Sequence, residues 1–288
     1  YIDQTDGHTI DVTYLYVLNM FSSFADALTQ AAGSVDASVI TSQTNTASAE
    51  SKTQAESYLT GKGNIKAVIA EVKSVNDGNT VYSHSITSKL TVSVAAIALN
   101  VTESNCASVI KAYVNNEGTG FSFTKLTVLG KFNPRGSLNA YNGVVSEVSS
   151  AAGAENNSIT ISAVIGSLNQ ASAESKAKVT AYVNGNVKVS GALEVDANSL
   201  GHANASAKAS AGLSLISVGG LFAKSDTHDE TKAYLGGNIT AGSVNVNASS
   251  KSDSSAYAEN PGSLSLVGAG ISKVEAGVGI SADKSQKG

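Results

Sequence analysis

The fold is decided by a stretch that reads Thr180-Ala181-Tyr182-Val183-Asn184-Gly185-Asn186. Close copies of its first four residues stand at Lys111-Ala112-Tyr113-Val114 and Lys232-Ala233-Tyr234-Leu235, and a weaker copy stands at Glu56-Ser57-Tyr58-Leu59. The four tyrosines are spaced by 55, 69 and 52 residues. A self-similar period of this size is typical of a solenoid, a propeller or another repeat array. We therefore expect repeats that start near residues 58, 113, 182 and 234.

Apolar and polar residues alternate after each of these anchors. Ala occupies every second position of 202–211, and larger apolar residues alternate with polar ones in 193–197 and 244–248. A period of two places successive side chains on opposite faces of a β-strand. Because Ala is a poor strand former, its run predicts a part of the interior that is too narrow for larger side chains.

The pattern predicts an all-β fold, a right-handed parallel β-helix (β-solenoid). Helical repeats would show a period of 3.6, and propeller blades carry Trp-Asp signatures, whereas this chain has no Trp. Parallel crossovers are nearly always right-handed. With roughly three strands per coil we expect about two coils per repeat, and a rod of about 50–60 Å at the usual strand spacing.

Two segments depart from the repeat. Residues 1–57 are expected to form irregular N-terminal coils before the solenoid of 58–288. Within them, the apolar residues of 21–30 have helical spacing, which predicts either a short excursion helix or an irregular strand. The longest repeat exceeds the others by about 15 residues, and we place the excess in a lateral loop around 131–142.

The predicted lateral loop is the candidate interaction site. It holds the only Arg of the chain and one of its two Pro residues. Loops on a rigid scaffold often carry binding residues. The candidate interaction residues are therefore Phe132, Asn133, Pro134 and Arg135, with a passive turn as the alternative.

The composition argues against several classes of function. A net charge of −4 and a single Arg do not provide the basic surface that nucleic-acid binding needs. No apolar run of about 18 residues is present, so we expect no membrane-spanning segment. The single cysteine, Cys106, cannot form a disulfide framework and is expected to be a small buried residue. Neutral Ser, Thr and Asn ladders are expected, because like charges stacked at strand spacing would repel.

No catalytic, cofactor-binding or metal-binding residue is assigned. His228, Asp229 and Glu230 are adjacent, but neighbours on a strand point to opposite faces, which favours a solvated turn over a metal site. Glu194 and Asp196 share one face of a strand, and paired carboxylates can cleave sugars. Outward-facing acids are nevertheless expected on any soluble strand, so this signal is weak.

The sequence of 232–248, KAYLGGNITAGSVNVNA, resembles a unit of giant bacterial exoproteins. It is similar to the repeats of leukotoxin-type filamentous adhesins of fusobacteria, and more loosely to filamentous-haemagglutinin-like proteins of Gram-negative bacteria. The similarity is clearest over 180–288, fair over 58–179 and poor over 1–57. The resemblance implies a right-handed β-helix that is exported across the outer membrane and serves adhesion or host-cell damage.

We therefore expect a structural or interaction segment of a large adhesin or leukotoxin, secreted or held at the bacterial cell surface, and not an enzyme. The expected partners are a host-cell surface protein or glycan, and neighbouring repeats of the same longer chain, because the termini look like those of a fragment. No cofactor and no nucleic acid are expected. Two alternatives stay open: a β-helix polysaccharide hydrolase or lyase, and a trimeric autotransporter adhesin head, which the short repeat at 161–167 resembles.

Overall fold

The computed structural model describes residues 1–4, 8–133, 137–139, 145–147 and 149–279. These residues are almost entirely β-strand, and no helix occurs among them. The strands are β1 (Ile2–Gln4), β2 (Thr9–Gly61), β3 (Asn64–Asn133), β4 (Ser137–Asn139), β5 (Val145–Glu147), β6 (Ser150–Asn156), β7 (Ile159–Lys208), β8 (Ala211–Thr227), β9 (Glu230–Leu235), β10 (Ile239–Glu259) and β11 (Ser263–Val278). All but β4 and β5 belong to one parallel sheet, which confirms the all-β fold with parallel strands.

The strands stack so that one sequence repeat forms one layer. Tyr58 pairs with Tyr113 in β3, Tyr113 pairs with Tyr182 in β7, and Tyr182 pairs with Tyr234 in β9. These offsets equal the spacings of the tyrosine repeat, so the expectation of two coils per repeat was wrong. We number the layers along the chain as layer 1 (9–61), layer 2 (64–116), layer 3 (121–185), layer 4 (187–235) and layer 5 (239–278). Residues at the same position in successive layers are called a column.

Each layer doubles back on itself, and the core lies between its two halves. The hydroxyl oxygens of Ser23 and Ser51 lie 3.2 Å apart, and Thr29 Oγ1 donates to the carbonyl of Thr46 at 2.8 Å. A straight strand with the length of β2 would extend about 170–180 Å, so these contacts require a reversal between the two halves. The pairings also close the sheet on itself, because β3 pairs with β6 and β7, and β6 also pairs with β7.

The interior has two parts. The first part holds large side chains, among them Phe121, Phe132 and Leu193, which are almost completely buried. The second part is built mainly from alanines. Ala205 packs there in one cluster with Ala171 and Ala173. The alanines of the 202–211 run are therefore interior residues down to Ala209, and the narrowness of this part of the interior stays a prediction.

Of the two alternatives for 21–30, the excursion helix was wrong, and the structure has the irregular strand, with a register shift between Phe21 and Ser23. These residues belong to β2 and pair with layer 2 from Phe21↔Asn76 to Gln30↔Ile86. Ala25 and Ala27 pack against the core, whereas Phe24 and Leu28 are exposed on the outer face. The apolar spacing looked helical because both faces of this strand carry apolar residues. The ladder of β2 also runs without a break through the expected boundary at 57/58.

The surplus residues of the longest repeat lie between Phe132 and Ser150. Phe132 pairs with Ser199, and Ser150 pairs with Ala203, so layer 3 takes 18 residues where layer 4 takes 4. Between Phe132 and Ser150 the structure describes Asn133, Ser149 and the short antiparallel pair of β4 and β5. The remainder of the predicted lateral loop lies outside the described residues, and the loop stays a prediction.

Candidate functional site

A stacked column of tyrosines runs along the outer surface. Successive rings of Tyr1, Tyr58, Tyr113, Tyr182 and Tyr234 are nearly parallel, with centroids 5.0, 5.1, 4.8 and 4.9 Å apart. Burial within the stack raises the pKa of Tyr182 to about 12. The sequence repeat had identified four of these rings and missed Tyr1. The column shows that outer side chains recur at the spacing of the layers.

Charged residues of neighbouring layers pair with opposite charges. Glu56 of layer 1 lies 2.8 Å from Lys111 of layer 2, and Lys208 of layer 4 lies 3.9 Å from Glu259 of layer 5. The expectation that neutral ladders replace ion pairs was therefore wrong for the outer surface. Opposite charges in one column attract each other, so the repeat tolerates them where their sign alternates.

The interior does hold a neutral ladder. Asn45 Nδ2 donates to Asn100 Oδ1 at 2.9 Å, and Asn100 Nδ2 donates to Asn169 Oδ1 at 2.7 Å. Thr87 Oγ1 also donates to Asn100 Oδ1, and all these groups are buried. The column continues with Leu221, so Asn169 Nδ2 has no hydrogen-bond partner among the described residues. The ladder is a structural element, because apart from Asn169 Nδ2 its amides bond to one another and to Thr87.

The two acids of 228–230, Asp229 and Glu230, direct their side chains to different sides of the chain. Asp229 turns inward and accepts hydrogen bonds from Ser199 Oγ at 2.6 Å and from the Ala177 backbone N–H at 3.1 Å. Glu230 lies on the outer surface and pairs with Lys232. Burial raises the pKa of Asp229 above its ordinary value. Within the described ranges, no three His, Cys, Asp or Glu side chains come together as metal ligands.

The paired acids Glu194 and Asp196 lie side by side on one strand, opposite Asn245 and Asn247 of layer 5. Glu194 accepts a hydrogen bond from Thr127 Oγ1 at 3.3 Å, and its carboxylate lies 3.8 Å from Lys125 Nζ. Neither acid lines the cavity of about 460 Å³ that is described below.

Cys106 is buried as expected, and burial raises the pKa of its thiol to about 12. A thiol with so high a pKa is protonated at neutral pH and unreactive. Cys106 is therefore a packing residue.

Of the four predicted interaction residues, the structure describes Phe132 and Asn133. Phe132 is a core residue of β3 with 1% of its surface exposed, so its side chain is not available to a partner. Asn133 is the last residue of β3. Pro134 and Arg135 lie outside the described residues, and their role in binding stays a prediction.

A buried contact between a histidine and a glutamate lies close to the extra residues of layer 3. His84 Nε2 is 3.4 Å from Glu155 Oε1, and both side chains are almost inaccessible to solvent. The hydrogen bond from His84 holds the pKa of the Glu155 carboxyl below its ordinary value. His84 packs against Gly153 directly above it, where a Cβ would lie 2.8 Å from the ring. Sequence reasoning missed this pair, since residues 71 positions apart share no local signal.

The outer face of β2 carries an apolar row that sequence reasoning also missed. We call it the β2 stripe, and it consists of Tyr14, Tyr16, Leu18, Met20, Phe24 and Leu28. Each of these side chains is between 45% and 68% exposed. In the next layer, Glu71 pairs with Tyr16 and Lys73 with Leu18, so the apolar character ends at layer 2. The uninterrupted apolar run of 14–18 could have revealed the stripe. A strand with one solvent-exposed face would show alternating apolar and polar residues instead.

A cavity of about 460 Å³ is lined by segments 209–221 of layer 4 and 260–272 of layer 5, together with Ile165 and Ser167 of layer 3. It is lined mainly by serine and glycine, including Gly219, Gly220 and Ser263. Its lining contains no ionisable side chain. The serine hydroxyls of this lining therefore have no general base beside them within the lining to activate them as nucleophiles.

No protein-family model matches the chain, and neither the curated proteins nor the solved structures include a significant match. Among the described residues there is no helix of the length and apolarity needed to cross a membrane.

Proposed function

We propose that the chain is a right-handed parallel β-helical segment of a large secreted bacterial adhesin or leukotoxin. The observation that carries this proposal is the stack of five tyrosine rings at near-constant spacing, since it gives every repeat the same place in a parallel ladder. A parallel ladder whose strands join through crossovers is nearly always right-handed. The resemblance of 232–248 to leukotoxin-type repeats supports the same assignment.

The function we propose is display, with no catalysis. Each inner layer has its backbone bonded to the layer above and the layer below, which makes the stack stiff. Side chains on the outer face are then held at fixed positions for a partner. A longer array of such layers would form a rod, and neighbouring repeats of the same longer chain are its natural extension.

The β2 stripe is the surface that we propose contacts a host-cell surface protein. Large exposed apolar rows on soluble proteins usually mark interaction sites, and aromatic residues with Met are enriched in protein interfaces. A glycan is the alternative partner, and the predicted loop with Pro134 and Arg135 is the second candidate surface.

Binding of the purified chain to host cells tests the proposal. We expect saturable binding to leukocytes that falls at least tenfold in the double variant Tyr16→Asn/Phe24→Asn. The matched control is Val94→Asn/Ile97→Asn, which makes two exposed apolar residues of layer 2 polar. The Arg135→Ala variant tests the loop in the same assay.

Three results would count against this function. Absence of binding to every cell type and matrix protein would contradict it. Equal losses in the stripe variant and its control would contradict the role of the β2 stripe. Turnover of a polysaccharide that Glu194→Gln abolishes would favour the hydrolase or lyase alternative instead.

A further inference from the structure

The alternation of side chains is inverted where the layers reverse direction. Thr87 Oγ1 donates to Asn100 Oδ1 at 2.9 Å, so layer 2 turns back between these two residues. Inside this turn Thr91 is buried, whereas Val92 and Val94 are exposed. A hydroxyl group therefore faces the interior and aliphatic groups face outward, which is the reverse of what the hydrophobic effect favours in water.

The same inversion recurs in layers 3 and 4. Thr160 and Ser162 are buried, whereas Ile161 between them is exposed. Ile161 pairs with Val92 of layer 2 and with Leu213 of layer 4, which are exposed as well. We call the outward aliphatic side chains of 90–97, 159–164 and 213–218 the apolar edge. All eleven Val, Leu and Ile residues in these ranges are between 39% and 59% exposed.

The exposure of the apolar edge does not depend on where the stack ends. Layers 2, 3 and 4 each have a neighbouring layer on both sides, and their edge side chains are nevertheless exposed. A further repeat added to either end of the stack would continue the ladder and leave this edge uncovered. An occupant of the apolar edge therefore approaches from the side of the stack.

We propose that the apolar edge is the interface of a side-by-side homodimer, in which the edges of two copies of the chain pack against each other. The edge exposes on the order of 1,000 Å², and a stable interface buries about 800 Å² per partner. Its aliphatic groups recur at the layer spacing of about 4.8 Å, and a second copy offers aliphatic groups at the same spacing. Homodimer interfaces are also more apolar than those of non-obligate complexes.

The lack of charge on the apolar edge suits contact between identical surfaces. A two-fold interface uses the same patch on both copies, so charged residues within it would face like charges. The three ranges of the edge contain no Asp, Glu, Lys or Arg. Lys89, which directly precedes the edge, pairs with Asp36 at 3.5 Å. An edge without charges also lacks the complementary pattern that guides a different protein into register.

A lipid surface fits the apolar edge less well than a second copy does. Segments that lie on membranes combine apolar residues with aromatic, Lys or Arg residues, which anchor them at the headgroups. The ranges 90–97, 159–164 and 213–218 contain no aromatic residue and no positive charge. The composition of the edge therefore favours a protein surface of the same aliphatic kind.

Charge placed on the apolar edge tests the proposal with the full chain. In the variant Val92→Lys/Leu213→Lys, Ile161 separates the two new charges along their column. We expect the wild type to sediment as a dimer at micromolar concentrations. The dissociation constant of the variant should rise by at least about tenfold, because unpaired charges would be buried at the interface. The matched control is Tyr16→Lys/Met20→Lys, which adds the same charge to two exposed side chains of the β2 stripe and should stay dimeric. Thermal melts check that both variants are folded.

Charge reversal tests whether the partner is a second copy. The variant Val92→Glu/Leu213→Glu should also be monomeric on its own. An equimolar mixture of the Lys and Glu variants should form heterodimers, because opposite charges then meet across the contact of edge with edge. Sedimentation velocity of the two variants alone and mixed measures this recovery.

Four outcomes would overturn the proposal. A wild-type chain that is monomeric at all concentrations would show that the apolar edge does not self-associate. Equal dissociation of the edge variant and its control would place the interface elsewhere. A mixture of the Lys and Glu variants that stays monomeric would exclude contact of edge with edge. Binding of the wild type to neutral phosphatidylcholine vesicles that the edge variant loses would make a lipid surface the occupant.

Host-cell binding is measured separately, so failure of dimerisation leaves the display function untouched. The control of the binding assay, Val94→Asn/Ile97→Asn, changes two side chains of the apolar edge. Its binding to cells is therefore compared with that of the wild type at concentrations where both chains are monomeric.

Discussion

At Gly185 the backbone turns with a φ of +88°, directly above Asn116 of the layer below. A Cβ at this position would overlap the Asn116 carbonyl oxygen, because the two atoms would lie far closer than van der Waals contact allows. The left-handed φ alone costs a non-glycine residue about 1–2 kcal/mol, and the clash adds to this cost. The Asn-Gly-Asn turn after the anchor is therefore fixed by the stacking of layers as well as by the turn itself.

We expect Gly185→Ala to lower the melting temperature by more than the φ penalty alone would. The matched control is Gly262→Ala, where φ is +96° and no atom lies near the added Cβ. Differential scanning calorimetry of both variants separates the two causes. Equal losses in the two proteins would mean that contact between layers contributes nothing at Gly185.

Two buried acids should respond to pH with opposite signs. The pKa of Glu155 is lowered by the hydrogen bond from His84, so its stabilising contribution is present above the ordinary value near 4.5 and is lost as pH falls through the folded pKa. The pKa of Asp229 is raised by burial, so its ionisation destabilises the fold, and this cost disappears as pH falls through its folded pKa.

We expect Glu155→Gln to destabilise the protein most at pH 7, with the difference from wild type shrinking toward pH 3. The stability of Asp229→Asn relative to wild type should instead increase as the pH rises over the same range. The free energy of unfolding in urea, measured between pH 3 and 7, checks both slopes. Parallel slopes for the two variants would contradict the assignment of hydrogen bonding to one acid and burial to the other.

At the level of single residues, the sequence identified four of the stacked tyrosines. It missed the fifth tyrosine and the buried contact between His84 and Glu155. Tyr58, Tyr113, Tyr182 and Tyr234 were found because each lies in a similar local sequence. Tyr1 was missed because it is followed by Ile2-Asp3-Gln4, which shares too little with the other copies. His84 and Glu155 were missed because their contact depends on the register of layers 2 and 3, which local spacing does not encode.

At the level of strands, a period of two was sufficient to predict where the chain is β and insufficient to predict where it turns. Alternation identifies the two faces of a strand. It does not show whether a repeat forms one coil or two, because both arrangements produce the same alternating pattern. The 21–30 segment shows the related error. Phe24 and Leu28 belong to the β2 stripe, so apolar residues occupy both faces and imitate helical spacing. Only the pairing with layer 2 decides the question.

The narrow interior provides a test at the strand level. Ala205 is fully buried within the alanine cluster, and the next residue of its column is Ala256 of layer 5, which is only partly buried. Overpacking a close-packed interior costs about 1–3 kcal/mol, so we expect Ala205→Leu to destabilise the protein by at least that amount. Ala256→Leu should cost clearly less, because its side chain can lean into the open end. Chemical denaturation of the two variants measures the difference, and equal costs would argue against a narrow interior.

For the whole molecule, equivalence of the layers makes stability nearly additive along the stack. Each layer contacts its neighbours through a ladder of the same kind, as in other repeat proteins, where stability sums over repeats and their interfaces. The same equivalence limits what sequence can say about function. The repeating pattern in the sequence comes from the columns that build the ladder. Surface features such as the β2 stripe occur in one layer only, so they produce no repeating pattern.

Deleting one complete layer is the decisive test of this equivalence. Removing 187–238 joins Asn186 to Ile239, and Ile239 occupies the column of Val187. Every ladder of layer 5 is then restored on layer 3, so we expect a folded protein with a single cooperative transition and a lower free energy of unfolding. Removing 187–212, half as many residues, places the wrong half of layer 4 on layer 3 and should abolish cooperative unfolding. Circular dichroism melts distinguish the two products. If both deletions fold, each repeat contains two equivalent coils, and the one-repeat, one-layer register is wrong.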